Sequence, residues 1–269
     1  MIRKDHVLDF FYFGLNQARS CIFAGSFFFL LFISNKIPLL GFDRYDFLFL
    51  AAVFIQVVLI LVKIETLDEL KVICVFHVIG FALEVFKTRP EIGSWSYPEP
   101  GFFKVMNVPL YSGFMYSAVA SYVVQAWRHL NLKVVDHPPL WLAWILAAAI
   151  YLNFFWHHFW LDIRWFLVFL VIFSFRKTDV YYTPRRTEYR MPLLMSFILI
   201  GFFIWLAENI ATFLGAWKYP DQVSIWRKVH IGKWSSWSLL VIMTFIIVVN
   251  LKHIKQTIRF ANLKEKASA

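Results

Sequence analysis

Apolar positions in this chain come in long runs rather than in the stripe of a surface helix. Each run approaches the 20 or so residues, about one bilayer core, that a membrane-crossing helix needs. Runs near 14–34, 43–62, 70–87, 108–127, 139–157, 160–175, 191–210 and 234–251 predict eight spans joined by short polar stretches. Asn16, Gln17 and Arg19 interrupt the first run, and the sixth is short, with Asp162 and Arg164 near its start, so a count of seven stays open. The expected fold class is all-α: a polytopic transmembrane helix bundle of about eight helices.

Composition strengthens this expectation. The 269 residues are 60% hydrophobic, 20% aromatic and 16% charged, where a soluble domain has about 45–50% apolar and about 25% charged residues. A net charge of +10 would suggest nucleic acid as the partner of a soluble chain. Here the basic residues lie mainly between apolar runs and read as topology signals, so membrane lipids are the expected partners and nucleic acid is not. With both termini placed in the cytoplasm, sixteen of the 27 Lys and Arg residues fall in inner segments and nine in outer ones. That bias favours eight spans. The basic stretch 176–190 and the tail 252–269 suit anionic lipid head groups. The start, MIRKDHVLDFF, lacks a cleavage site of small residues and reads as a retained cytoplasmic segment. Cys21 and Cys74 lie inside apolar runs without metal or disulfide spacing, and they read as small buried hydrophobes.

One pattern occurs twice. Glu84 and Thr88 form ExxxT, followed by GxWxYP at Gly93, Trp95, Tyr97 and Pro98. Glu208 and Thr212 repeat the first element, and Gly215, Trp217, Tyr219 and Pro220 the second. Each copy ends one apolar run, turns, and enters the next. Because the copies lie four runs apart, they share an orientation, which predicts two parallel pseudo-repeats of four helices. These halves are 1–133 and 134–251, followed by the tail 252–269, all in a single membrane domain. A two-fold about the membrane normal would then face Glu84 towards Glu208 at the outer end of the bundle.

An ionisable side chain within a span is costly and commonly marks function. Glu84 and Glu208 are therefore the expected catalytic acid and base, with His77, two turns before Glu84, beside them and Gly80 leaving room for approach. Trp95, Tyr97, Trp217, Tyr219 and Asn209 are the expected substrate-binding residues, although an aromatic belt at the bilayer surface also explains the Trp and Tyr pairs. No cofactor is called for. A divalent metal on His157, His158 and Asp162 is the alternative, since Asn153/His157 and His158/Asp162 are spaced i,i+4 if the helix continues. A hydrated interfacial turn is the plainer account of that segment.

The stretches GSWSYPEP (93–100), VPLYSGFMY (108–116), NFFWHH (153–158) with Asp-Ile-Arg (162–164), and WLAENIATFLGAWKYP (205–220) resemble an uncharacterised family of bacterial multi-pass membrane proteins over nearly the whole chain. This resemblance implies a multi-pass protein of the bacterial inner membrane and no transferable function. A glutamate, a Gly-aromatic-x-Tyr turn and a Val-Pro helix entry are more distantly similar to membrane carotenoid hydratases and small lycopene cyclases. Those enzymes protonate polyenes inside a bundle, with carboxylates and no redox cofactor, and His157 and His158 depart from their pattern. The functional expectation is an intramembrane acid-base enzyme, of lyase or isomerase type, acting on a hydrophobic lipid or isoprenoid. The alternatives are a proton-coupled small-molecule transporter and a non-catalytic scaffold. Oligomeric state is not legible.

Overall fold

The computed structural model describes residues 4–39 and 41–268, with side chains described for 5–39 and 41–250. The side chains of the basic tail expected to meet lipid, 252–269, lie outside the described residues. The chain is mostly helical: α1 (Lys4–Ser20), α2 (Ile22–Ile33), α3 (Arg44–Leu61), α4 (Leu67–Lys87), α5 (Ser112–His129), α6 (Leu140–Trp156), α7 (Arg164–Phe175), α8 (Leu193–Phe213) and α9 (Lys233–Ser268). Seven of the eight expected runs fall on α3 to α9. The first is divided at Cys21, where α1 and α2 meet at a 63° bend.

Among the described residues, α3, α8 and the Lys233–Asn250 part of α9 are long and apolar enough to cross a membrane, and the bent α1–α2 pair brings the number to four. α6 and α7 are apolar but shorter. Helix α5 has a different character: Ser112, Ser117, Ser121 and Gln125 are all buried, so it is the central post against which α1, α2, α4 and α9 pack. Ser117, Ser121 and Gln125 are accommodated there by bonding to neighbours, as when Ser117 Oγ donates to Ile73 O at 3.0 Å, while Ser112 Oγ has no partner among the described residues. Two helix pairs approach closely through glycine. A Cβ on Gly80 of α4 would lie 2.5 Å from Tyr116 Cβ of α5, and one on Gly201 of α8 would lie 2.9 Å from Ser238 Cα of α9.

Two small antiparallel sheets depart from the all-α expectation. β1 (Lys104–Val105) and β2 (Val108–Pro109) form a hairpin whose turn residues Met106 and Asn107 both have positive φ, the geometry that matches strand twist. β3 (Lys133–Val135), β4 (Asp179–Tyr182) and β5 (Tyr189–Pro192) form the second, in the order β3-β4-β5. This sheet gathers the α5–α6 and α7–α8 connections at one end of the bundle. The same end holds the N-terminal helix, through Tyr189 OH to Asp9 Oδ2 at 2.9 Å and Asn16 Nδ2 to Pro184 O at 2.8 Å. The α3–α4 turn lies there too, since Ser121 Oγ donates to Glu65 Oε1 at 2.5 Å.

The opposite end is tied by Arg44 at the start of α3. Its guanidinium pairs with Glu99 at 2.7 Å and donates to the carbonyls of Leu214 at 2.6 Å and Gly215 at 3.1 Å. Asp46 receives the backbone N–H groups of Phe102 and Phe103, both at 2.8 Å. Tyr111 donates to the carbonyl of Ala216. These bonds fix the loops 88–111 and 214–232 against one another.

Candidate functional site

Helix α4 begins with a reciprocal cap in which Thr66 receives the Glu69 N–H and Glu69 receives the Thr66 N–H. It ends at the ExxxT element, where Thr88 returns both its N–H (3.0 Å) and its hydroxyl (2.9 Å) to the Glu84 carbonyl. Thr212 of the second copy instead bonds Asn209 O at 3.1 Å and accepts from Trp226 Nε1 at 3.2 Å. The turns that follow need left-handed backbone at Gly93 (φ 55°) and Gly215 (φ 76°), which glycine adopts without a Cβ penalty. The two loops then meet. Ser96 and Lys218, the residues between Trp and Tyr of each GxWxYP, exchange both backbone hydrogen bonds, at 2.9 and 3.0 Å, as an antiparallel bridge.

Each glutamate is buried and held by aromatic donors. Glu84 Oε2 accepts from Trp95 Nε1 and Tyr97 OH, both at 2.7 Å, while Oε1 accepts from Tyr116 OH at 2.9 Å. Glu208 Oε1 accepts from Tyr219 OH at 2.6 Å and Oε2 from Trp237 Nε1 at 2.8 Å. An indole N–H can only donate, so Trp95 and Trp237 fix which oxygen is the acceptor. Burial first, and then the neighbouring carboxylate, pushes the hydroxyls of Tyr97 and Tyr219 well above the usual tyrosine range, and both remain donors at any physiological pH. A carboxylate offers about four acceptor positions. Among the described residues, three are taken at Glu84 and two at Glu208.

Both carboxylates line one cavity of about 310 Å³. Its walls include Trp95, Tyr116, Trp217, Tyr219 and Trp237, with Leu83, Met115, Phe154 and Leu240 supplying an apolar side. Lys87, Arg164 and Lys233 reach the same space. Lys233 Nζ stands 4.7 Å from the ring centre of Tyr219 and 5.2 Å from that of Trp95, within cation–π range. Lys87 Nζ lies 2.7 Å from His158 Nε2 and 3.4 Å from His157 Nε2. Because His157 Nδ1 sits 2.8 Å from the Asn153 carbonyl, that nitrogen must carry the proton. Nε2 is then the acceptor, and Lys87 the donor. His158 lies in the loop beyond α6. Burial first, then the charge of Lys87, pushes it down to about 4, so it is neutral and can also accept.

The structure therefore brings together Glu84, Glu208, Trp95, Trp217 and Tyr219 around one cavity, with Tyr97 bound behind Glu84 and His157 at its edge. It separates others. His77 is not among the lining residues; its ring packs over Gly113, where an added Cβ would lie 2.6 Å away, and its Nδ1 is buried without a partner among the described residues. Gly80 leaves no opening for a ligand, since Tyr116 fills that space. Asn209 is also outside the lining: it binds the Trp205 carbonyl at 2.8 Å and the Val229 N–H at 2.9 Å, anchoring its loop.

The expected metal ligands do not assemble. Helix α6 stops at Trp156, so His158 and Asp162 lose the i,i+4 relation. Both histidines turn to Lys87, while Asp162 accepts from Asn153 Nδ2 (3.2 Å) and pairs with Arg164 (3.2 Å). For Asp162, burial raises the carboxyl, but the bonds from Asn153 and Arg164 outweigh it and leave it below the usual range. Among the described residues no group of three or more His, Cys, Asp or Glu could hold a metal ion.

Sequence reasoning missed Lys87, Lys233, Tyr116 and Trp237. Tyr116 and Trp237 carry one signal in hindsight, since each is the fifth residue of the helix that follows a GxWxYP loop.

Residues 9–245 match the family model described as Protein of unknown function (DUF817). The chain is similar to the uncharacterized protein YoaT of Bacillus subtilis (strain 168), with 56% identity over 245 residues that cover 91% of this chain and 92% of that protein. No solved structure matches the chain.

Proposed function

The chain belongs to that family of proteins of unknown function, and we propose that it is an integral membrane enzyme that performs acid-base chemistry on a hydrophobic lipid or isoprenoid. Eight crossings in two related four-helix halves, with both termini in the cytoplasm of a bacterial cell, complete this reading. The alternation of connections between two ends of the bundle supports the crossings, with α1 and α2 taken as one bent span. The reciprocal bridge between Ser96 and Lys218 supports the halves, because a two-fold relating the GxWxYP loops brings equivalent residues together.

The observation that carries the reading is that Glu84 and Glu208 open onto one aromatic cavity with acceptor positions to spare. The roles divide by hydrogen bonding. Glu84, gripped by three donors, is the more rigidly held carboxyl, placed to stabilise developing positive charge. Glu208, gripped by two, has more freedom to give and take a proton. The π faces of Trp95, Trp217 and Tyr219 suit a cationic or polyene intermediate. Trp95 and Lys233 belong to opposite halves, so both are needed to complete the site.

The test is lipid mass spectrometry on membranes from cells expressing wild type, Glu84→Gln or Glu208→Gln at equal levels. The wild type should change the abundance of one lipid class, and neither variant should. A profile unchanged by the wild type, or changed equally by both variants, would sink the proposal.

A second reading, proton-coupled transport, is favoured by Glu65. This carboxylate is 2% exposed at the opposite end of the bundle, held by Ser121 and Gln56, which supplies an acid on each side. Proton uptake by proteoliposomes that is abolished in Glu65→Gln would put transport first.

A further inference from the structure

The cavity separates its charges from their natural partners. Among the described residues, neither Lys87 nor Lys233 forms an ion pair with a carboxylate. Lys87 meets two imidazoles, and Lys233 meets two π faces. Glu84 and Glu208 are satisfied by neutral phenols and indoles instead. Charges drawn out of water without a close counter-charge are costly, and folding proteins commonly relieve that cost by pairing them. Here the opposite charges line the same cavity, yet among the described residues neither lysine comes within 4 Å of a carboxylate oxygen.

The donor count says what would fill the gap. An ammonium carries three N–H donors. With His157 and His158 as acceptors, Lys87 keeps one donor for the cavity, and Lys233 keeps three. Arg164, bonded to Asp162 through Nη2, adds its remaining guanidinium edge at the rim. The matching ligand is rich in acceptor oxygens and negatively charged, and phosphate fits that description. Beyond these groups the wall turns apolar at Leu83, Met115, Phe154 and Leu240, which suits a hydrocarbon chain.

We infer that Lys87, Lys233 and Arg164 form a receptor for the phosphate-type head group of an anionic amphiphile, whose chain lies along the apolar wall. The inference rests on reading the cavity as a substrate site, and it names the substrate class: a lipid or isoprenoid phosphate rather than a neutral hydrocarbon. The phosphate is held at the lysines, and the reacting carbon nearest it is presented to Glu208. Binding and chemistry thus fall on different residues.

The experiment measures radiolabelled dodecyl phosphate bound to the full chain purified in a neutral maltoside detergent, with unlabelled competitors. Dodecyl phosphate should compete, and dodecyltrimethylammonium should not. Inorganic phosphate should compete only at concentrations higher by about a hundredfold or more, since each buried CH₂ adds about 0.8 kcal/mol. Lys87→Met and Lys233→Met should each weaken binding by about tenfold or more, the loss of a charge-assisted hydrogen bond. Lys233→Arg, which keeps the charge, should bind within a few-fold of wild type and guards against a folding artefact. Equal competition by inorganic phosphate would overturn the amphiphile assignment. The absence of saturable binding, or wild-type binding by both Met variants, would overturn the receptor.

Glu208→Gln separates the two claims, because it should bind dodecyl phosphate normally while losing any effect on membrane lipids. A Glu-dependent lipid change without dodecyl phosphate binding would leave the enzyme reading standing and remove this one.

Discussion

Replacing Gly80 with alanine should break the site from behind, by displacing the cavity wall that Tyr116 forms. The new methyl carbon would lie 2.5 Å from Tyr116 Cβ, where carbon atoms prefer about 3.5–4.0 Å, so the Tyr116 side chain or all of α5 must retreat by roughly 1 Å. The clashing atoms are at the root of the side chain, and rotation cannot remove the overlap. Overpacking of this kind costs about 1–3 kcal/mol. The retreat also lengthens the 2.9 Å bond from Tyr116 to Glu84, and a hydrogen bond to a charged group is worth about 1.5–3 kcal/mol. The expected destabilisation is therefore about 2.5–6 kcal/mol if the bond is lost outright, read as a lower unfolding temperature in detergent. Gly25→Ala is the control, because nothing lies within 4 Å of its added carbon and alanine favours the helix. In a Tyr116→Phe background the same substitution should cost less, since the bond to Glu84 is already gone. Gly80→Ala unfolding at the wild-type temperature would refute the close α4–α5 contact and the placement of Tyr116.

Arg44→Met should lower the unfolding temperature, by about 1.5–3 kcal/mol for charge-assisted hydrogen bonds of a part-exposed pair, because Glu99 and the carbonyls of Leu214 and Gly215 lose one shared donor; thermal melts of the Met and Lys variants test this, with Lys unable to span all three acceptors. With Cys21 and Cys74 replaced by serine, Ser96→Cys with Lys218→Cys should form a disulfide readily, since mutually bonded antiparallel residues have Cα atoms about 5.5 Å apart; gel mobility with and without reductant reads it, and no crosslink would separate the two loops. His158 titrates lower in the folded chain, at about 4, than in the unfolded chain, at about 6.5. The unfolded state therefore binds the extra proton, and the stability that His158 contributes is full above about pH 6.5 and is lost as pH falls towards 4. Unfolding temperatures across that window should fall less steeply in His158→Gln than in wild type.

Helices were legible wherever apolar length alone determines them, as at α3, α8 and α9, because a continuous run needs no information from elsewhere. The break at Cys21 was only half legible, since Asn16, Gln17 and Arg19 weaken the run before it but do not give the 63° bend between α1 and α2. The sheet β3-β4-β5 joins segments separated by more than forty residues, and its short strands have no period to detect. Glu84 and Glu208 stood out through the duplicated motif, which links each glutamate to a Tyr only 11 or 13 residues away. Their other partners, Tyr116 and Trp237, come from the following helix at 32 and 29 residues, and their shared fifth place in that helix becomes readable only once the helix starts are known. Two polar spacings misled. His77 follows a helical face towards Glu84, yet Gly113 draws its ring the other way. His158 and Asp162 lost their i,i+4 relation because α6 ended two residues before the second histidine.

The most direct test of the central claim is proton transfer itself. Purified wild type and Glu208→Gln would be reconstituted into vesicles of bacterial lipid extract in deuterated water, and the lipids analysed by mass spectrometry. Acid-base chemistry at carbon predicts deuterium entering a non-exchangeable position of one lipid class with the wild type and not with the variant. No labelling above empty vesicles, or equal labelling by Glu208→Gln, would contradict it.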